Sequence, residues 1–296
     1  MRYACIGHRD YFENNFIEGH DSADNIRGFD YDHHSTYPFQ CLLAYAPDVT
    51  LVFRPELYPA RFIQMIPGIR IGFSSEPLPT YDKGGVERSE QTDIRERVYA
   101  NVHLVAKCFD LFFHYDRRSA KWFEDRGIRV TGYRHLPIDC SVFHPIGGGE
   151  RDIDFLFVGK ATTYRLGVLD RLRILPFKFQ WIEHGIVGNE LADLYRRARC
   201  VLNVHADGRE QFEVRVLMAA ACGAAVLSEP LPFDDFPCHE AVRQGDVAGM
   251  STEELHGVLR GAAAVTQWTN DNWQMLRKRL STLEFVDDCV RQYLER

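Results

Sequence analysis

The segment CVLNVHADGREQFEVRVLMAAACGAAVLSEP, residues 200–230, holds the densest set of groups able to do chemistry. An apolar run delivers Asn203 and His205 to its end, Asp207 and Gly208 form a turn, and Glu210, Glu213 and Arg215 fall where a helix is expected to open. Free N–H groups at a helix start, beside carboxylates and an arginine, suit an anionic, hydroxyl-rich ligand such as a nucleotide sugar. The same acidic turn would also complement the helix dipole with no ligand at all. A second segment, DFLFVGKATTYR at 154–165, ends an apolar run in Gly159 and Lys160 and opens another helix near Tyr164 and Arg165. Glycine there permits close approach of a backbone, and Lys and Arg at a helix start attract phosphate; solvated helix-start residues are the plainer alternative.

These groups need a frame. Apolar runs of four to seven residues alternate with helix-like segments, the pattern of a parallel sheet covered on both faces. The spacing predicts strands at 3–6, 26–29, 49–53, 69–73, 111–114 and 130–133, with helices at 38–45, 60–65, 93–107 and 119–125. Pro145, the glycines 147–149 and the charged run 150–152 then break the pattern and read as a linker. A second series follows, with strands at 153–158, 179–183, 200–205 and 224–228 and helices at 165–175, 190–198 and 212–221. Ser251 with Glu254 three residues on forms a capping box, and the chain is expected to stay helical from there to its end. The fold class is therefore α/β: two Rossmann-like domains, 1–146 and 150–268, facing a cleft, with helices at 269–296 as a tail.

Composition narrows the class. The chain has 296 residues, 45% hydrophobic and 26% charged, with 35 Lys plus Arg against 42 Asp plus Glu, a net charge of −7. An acidic balance argues against a dedicated nucleic-acid binder. The longest weakly polar stretch, 217–227, falls far short of the roughly 20 residues that span a bilayer. Met1–Gly7 enters a strand-like run without a basic segment and an apolar signal core. The eight cysteines include no C-x-x-C pair, and a reduced, cytoplasmic setting is expected. No G-x-S-x-G, Walker A or G-x-G-x-x-G sequence is present, so serine hydrolase, P-loop NTPase and common dinucleotide-binding readings lose their support.

In open parallel sheets ligands bind beyond the carboxyl ends of the strands. In the first half those positions hold His8 and Arg9, then Ser74, Ser75 and Glu76, then Asp116. His8, Glu76 or Asp116 would serve as general base on an acceptor hydroxyl if within hydrogen-bond reach; each would serve equally as a helix cap. His20, Asp21, Asp24, Asp30, Asp32, His33 and His34 invite a metal reading, but their irregular spacing across the strand expected at 26–29 favours a polar loop, and no metal is expected.

RVLMAAACGAAVLSE at 215–229 resembles the donor-binding domain of GT-B fold glycosyltransferases, particularly the group 1 and CgeB-like enzymes, whose signature is an Arg shortly before Glu-Ala-x-Ala-x-Gly. FDLFFHYDRRSAKWFEDRGI at 109–128 and LPIDCSVFHP at 136–145 are similar to the stretch leading into the family's interdomain linker, and RIGFSSEP at 70–77 to its acceptor-side loop. The resemblance runs from about Phe109 to Gly245. It implies a glycosyltransferase taking a sugar from a nucleotide-sugar co-substrate to a glycan, lipid-linked or other hydroxyl acceptor, retaining and metal-independent, with the tail packing back on the first domain. Catalytic roles fall on Glu210, His8, Glu76 and Asp116. Donor binding falls on Gly159, Lys160, Arg165, Asn203, His205, Glu213 and Arg215, with Lys160 and Arg165 facing the diphosphate and Glu210 orienting donor hydroxyls. The family's ribose-binding glutamate would stand at position 218, which is Met; Glu213 or Glu229 would have to replace it. Two other readings stay open: a sugar-nucleotide epimerase, which shares the two-domain fold, and a non-catalytic nucleotide-sugar or glycan-binding homologue, which Met218 supports.

Overall fold

The computed structural model describes all residues except 22, 32–34, 36, 82–86, 89–91, 148, 208, 234 and 296. The chain divides into two compact units, Met1–Pro137 with Thr282–Arg296, and Ile138–Ser281.

The first unit contains β1 (Tyr3–Gly7), α1 (Arg9–Phe12), β2 (Ile26–Asp30), α2 (Tyr37–Tyr45), β3 (Val49–Phe53), α3 (Ala60–Met65), β4 (Ile69–Ser74), a small antiparallel pair β5 (Thr80–Tyr81) and β6 (Glu87–Arg88), α4 (Asp93–Val105), β7 (Leu111–His114), α5 (Ala120–Asp125) and β8 (Gly132–Tyr133). Its main sheet is parallel in the order β2-β1-β3-β4-β7-β8. Successive side chains of a strand point to opposite faces, and the core divides accordingly. Cys5, Leu51, Phe53, Phe73 and Phe113 pack with Phe12 and Phe16 on one face. Ala4, Ile6 and Val52 pack with Phe39, Leu42 and Ile63 of α2 and α3 on the other. Both faces are apolar because both are covered, which is why these strands read as continuous apolar runs.

The second unit contains β9 (Ile153–Val158), α6 (Thr163–Arg173), β10 (Phe179–Ile182), α7 (Gly188–Arg197), β11 (Ala198–Asn203), α8 (Arg215–Ala221), β12 (Ala225–Ser228), β13 (Val242–Gln244) and α9 (Thr252–Leu280). Its sheet is parallel in the order β10-β9-β11-β12-β13. Phe155, Phe157, Cys200, Leu202 and Leu227 face α6 and α9; Leu156, Val201 and Val226 face α7 and α8. Both units are thus Rossmann-like α/β layers. The edge strand β13, three residues with only Val242 partly buried, carries too little apolar pattern to be read from sequence.

The boundaries differ from those expected at 146, 150 and 268. Ile138, Cys140 and Phe143 are buried in the core of the second unit, so the division falls at Pro137, ahead of the glycine run; Gly148 of that run lies outside the described residues. The terminal helical stretch is broken at Ser281, whose backbone is extended. Leu276 and Leu280 of α9 stay with the second core, while α10 (Thr282–Leu294) places Phe285, Val286, Cys289 and Val290 in the first. No helix among the described residues is long and apolar enough to cross a membrane.

Candidate functional site

In the second sheet β9 connects to β10 on one side while β11 lies on the other, so the order in which the parallel strands are laid down reverses between β9 and β11. Ligands of open α/β sheets bind in the crevice that such a switch point leaves beyond the carboxyl ends of the strands. Gly159 and Lys160 follow β9 there, and Val204 and His205 follow β11.

Thr162 caps α6, accepting from the Arg165 N–H at 3.1 Å and donating to the Ala206 carbonyl at 2.7 Å. The helix start is therefore tied to the loop after β11. Arg165, expected to face phosphate, turns inward instead. It is 5% exposed, and its guanidinium donates from Nε to the Val204 carbonyl at 3.0 Å, from Nη1 to the Lys160 carbonyl at 3.0 Å and from Nη2 to Glu213 Oε1 at 2.8 Å. These bonds fasten three segments together, and a guanidinium engaged on all sides is a framework group. Burial, then the neighbouring Arg215, pull its pKa below the ordinary arginine value.

Arg215 pairs with the other oxygen of Glu213. Both guanidiniums lie over the Phe157 ring, at 5.2 and 4.9 Å from its centroid, a favourable placement of cation on aromatic face. The Nη1 of Arg215 is buried and makes no hydrogen bond. A buried N–H donor with no partner is costly; the other end of the same guanidinium, the Nη2 paired with Glu213, would lie 3.2 Å from a Cβ added at Gly159. Two arginines against one glutamate leave this cluster with one net positive charge, and the exposed Lys160 adds another at the same strand end.

A second network adjoins it. Glu229, just past β12 and 6% exposed, accepts from the His205 backbone N–H at 2.6 Å and from the Tyr164 hydroxyl. That bond to a carboxylate pushes the Tyr164 pKa up to about 12. The His205 Nε2 lies 2.9 Å from the Pro230 carbonyl, which fixes Nε2 as the protonated nitrogen and leaves the buried Nδ1 an acceptor. Asn203 donates to Ser228 Oγ at 2.9 Å.

The segment before α8 departs from expectation. The helix begins at Arg215, not 212, because Phe212 packs on Phe233 and Phe236, at 4.8 and 5.2 Å between centroids, and this holds the chain off the helix axis. Glu210 is consequently an exposed residue of a loop, not of a helix start. Met218 is buried in the apolar core of the second unit. Gly223 adopts φ +76 after α8, a left-handed conformation that favours glycine.

The first unit places its three candidates after three different strands. Its switch point lies between β1 and β3, with His8 after β1 at the start of α1. Glu76 is bound by Arg54 at 3.0 Å and Arg95 at 2.6 Å. Asp116 caps the turn that follows β7 and pairs with Arg118 at 2.8 Å. Sequence reasoning missed the chain of charges to which Glu76 belongs. Arg54, at φ 50, also bonds Glu56 at 2.7 Å, and Glu56 is 3% exposed with its carboxyl pKa raised by burial. Its only sequence signal is its place just beyond a strand end. In the expected polar loop, Arg9 joins Glu13 and Asp21, each at 2.5 Å, and His20 Nε2 lies 3.4 Å from Asp21. Asp32, His33 and His34 fall outside the described residues. Among the described residues no group of three or more His, Cys, Asp or Glu is arranged to hold a metal ion.

Residues 143–274 match the sequence model of a family described as glycosyl transferase-like. A search of curated proteins returns no match. Among solved structures, the sucrose-phosphate synthase of Thermosynechococcus elongatus is similar over 100% of this chain and 99% of its own, with a TM-score of 0.55 at 10% identity. A UDP-forming α,α-trehalose-phosphate synthase from Burkholderia xenovorans is similar over 96% of this chain and 85% of its own, with a TM-score of 0.50 at 11% identity. At these identities the likeness is one of fold, and it extends over both units.

Proposed function

We propose that the chain is a glycosyltransferase that moves a sugar from a nucleotide-sugar donor to an acceptor hydroxyl, with the donor bound at the β9–β11 switch point of the second unit. The observation that carries this reading is the unpartnered, buried Nη1 of Arg215, on the guanidinium whose other end, Nη2, rests against Gly159, within a segment that matches a glycosyl transferase-like family. A diphosphate would satisfy that donor, its oxygens accepting from Arg215, while the missing Cβ of Gly159 leaves room for the guanidinium itself.

In the reaction the bond from the sugar's anomeric carbon to the diphosphate oxygen breaks, and a bond to the acceptor oxygen forms. The nucleoside diphosphate leaves with the bonding electrons, and the acceptor hydroxyl gives up its proton. Charge accumulates on the leaving oxygens, so fixed positive groups aimed there lower the barrier. Arg215 and Lys160 supply that charge without a metal ion, and Arg165 and Glu213 hold Arg215 in place. Gly159, Asn203 and His205 shape the floor of the donor site, and Glu210 reaches donor hydroxyls from the exposed loop. For the acceptor proton the candidates stay His8, Glu76 and Asp116, the strand-end groups of the first unit, of which Glu76 and Asp116 each hold arginine. A retaining outcome accords with the resemblance to group 1 enzymes, and cytoplasmic residence with the spacing of the eight cysteines, which include no C-x-x-C pair.

The test is a panel of UDP, GDP, dTDP, ADP and CMP sugars. A ligand at 100 times its dissociation constant adds about 2.7 kcal/mol of stability, which thermal shift resolves. Mass spectrometry then identifies the product. A new glycoside with release of free nucleotide supports transfer, an epimerised donor marks an epimerase, and binding without consumption marks a non-catalytic homologue. Failure of every donor to shift the melting temperature overturns the assignment.

A further inference from the structure

With Met218 in the apolar core, any carboxylate that holds the donor's ribose must come from elsewhere. Glu213 and Glu229 are the candidates at the switch point, and their surroundings separate them. Glu213 has each oxygen in an ion pair, one with Arg165 and one with Arg215, so its charge is already neutralised. Glu229 bonds only neutral groups, the His205 N–H on one oxygen and the Tyr164 hydroxyl on the other. A carboxylate oxygen accepts about two hydrogen bonds, so Glu229 keeps both its charge and accepting capacity.

The groups it already binds point to its ligand. Tyr164 stands in the first turn of α6, directly after the Gly159–Lys160 loop, and is 38% exposed, whereas Glu229 is 6% exposed. The side of Glu229 toward solvent is thus occupied by a hydroxyl on an exposed side chain. Resting on the reading of this site as a donor site, we infer that the Tyr164 hydroxyl holds the place of a ribose hydroxyl, and that Glu229 selects ribonucleotide over 2′-deoxyribonucleotide donors. The His205 N–H keeps the carboxylate oriented while Tyr164 turns outward and the 2′-hydroxyl takes its position. A hydrogen bond to a charged acceptor contributes more than a neutral one, and a deoxyribose forgoes that bond, leaving Tyr164 on the carboxylate. Donors built on a deoxynucleoside, such as dTDP sugars, are then the poor ligands.

Calorimetry with UDP, GDP, ADP and CDP and their 2′-deoxy counterparts tests this on the full chain. For the base that binds best, the ribonucleotide is expected to bind about tenfold tighter than its deoxy form, the equivalent of 1.4 kcal/mol. Glu229→Gln retains an acceptor for the His205 N–H and offers its NH₂ to the Tyr164 oxygen, so it keeps the fold, and the tenfold ratio should fall to near one. Tyr164→Phe removes the competing hydroxyl and should tighten ribonucleotide binding and widen the ratio, since only a ribose can then supply the hydroxyl that Glu229 lacks. Equal binding of the two sugars by the unaltered protein, a ratio undiminished in Glu229→Gln, or weakened binding in Tyr164→Phe overturns the inference while leaving the donor site standing. Should no nucleotide bind at all, it is the proposed function that fails.

Discussion

The guanidinium of Arg215 rests against the bare Cα of Gly159, so closely that a Cβ built there would lie 3.2 Å from Arg215 Nη2 and 3.1 Å from the Phe157 ring. Gly159→Ala should therefore displace Arg215 more than it disturbs the fold, because the end of an arginine side chain yields more easily than a core ring. Calorimetry is expected to show nucleotide affinity falling about tenfold, or 1.4 kcal/mol, with the melting temperature changed little. An unfolded Gly159→Ala protein would contradict this order of compliance.

Arg165 and Arg215 share Glu213 but should fail differently when removed. Arg165→Met breaks three hydrogen bonds in a buried position and leaves Glu213 half paired, so about 3–5 kcal/mol of stability should be lost in denaturant titration. Arg215→Met should retain most of the stability and lose turnover by 10²-fold or more, about 2.7 kcal/mol of transition-state stabilisation. Equal losses of stability in the two variants would remove the distinction between framework and ligand-facing arginine.

Met218 lies in an apolar cluster, which decides how its substitutions behave. Met218→Leu should cost under about 1.5 kcal/mol. Met218→Glu buries an unpaired carboxyl and should cost more than about 2 kcal/mol, with no gain in nucleotide affinity. Tighter nucleotide binding in Met218→Glu would place position 218 in the ribose pocket after all.

Acid should weaken the first unit through His114. The side chain is fully buried, burial lowers its pKa from 6.5 to about 4, and its Nδ1 lies 3.0 Å from the Ser74 carbonyl. The unfolded chain takes up a proton near pH 6.5 while the folded one resists until about pH 4. The stability present above pH 6.5 is therefore lost as pH falls through that window, by about 3 kcal/mol at most. In His114→Phe the contribution of this site to the slope of stability against pH should vanish; an undiminished slope between pH 6.5 and 4 would assign it to other groups.

α10 should be part of the first unit's stability although it follows the second in sequence. Phe285 packs edge-on against Phe73 and Phe113, at 5.7 and 5.1 Å, and the Thr282 hydroxyl donates to the Asn15 carbonyl at 3.0 Å. Phe285→Ala should cost about 3 kcal/mol or more, read as a lowered melting transition of the first unit. An unchanged transition would mean that this helix adds nothing to that core.

The central strands of both sheets were legible in the sequence because they are buried on two faces and so appear as short apolar runs, whatever their neighbours; the edge strand β13, mostly exposed, was not. The capping box of Ser251 and Glu254 was equally local and is formed in the structure. The positions beyond the strands were legible as well, since chain order alone puts Gly159, His205 and Glu76 at strand ends. What those side chains do was not, because a guanidinium's partners are fixed by packing between segments far apart in sequence. Arg165 reads as a helix-start cation and is in fact bound to Val204 and Glu213, while Arg215 is left with a donor unmet. Phe212 fits a helical pattern, yet its rings of contact with Phe233 and Phe236 delay the helix to Arg215. Local periodicity determined the layers; the tertiary structure alone decided which charges are spent inside them and which remain for a ligand.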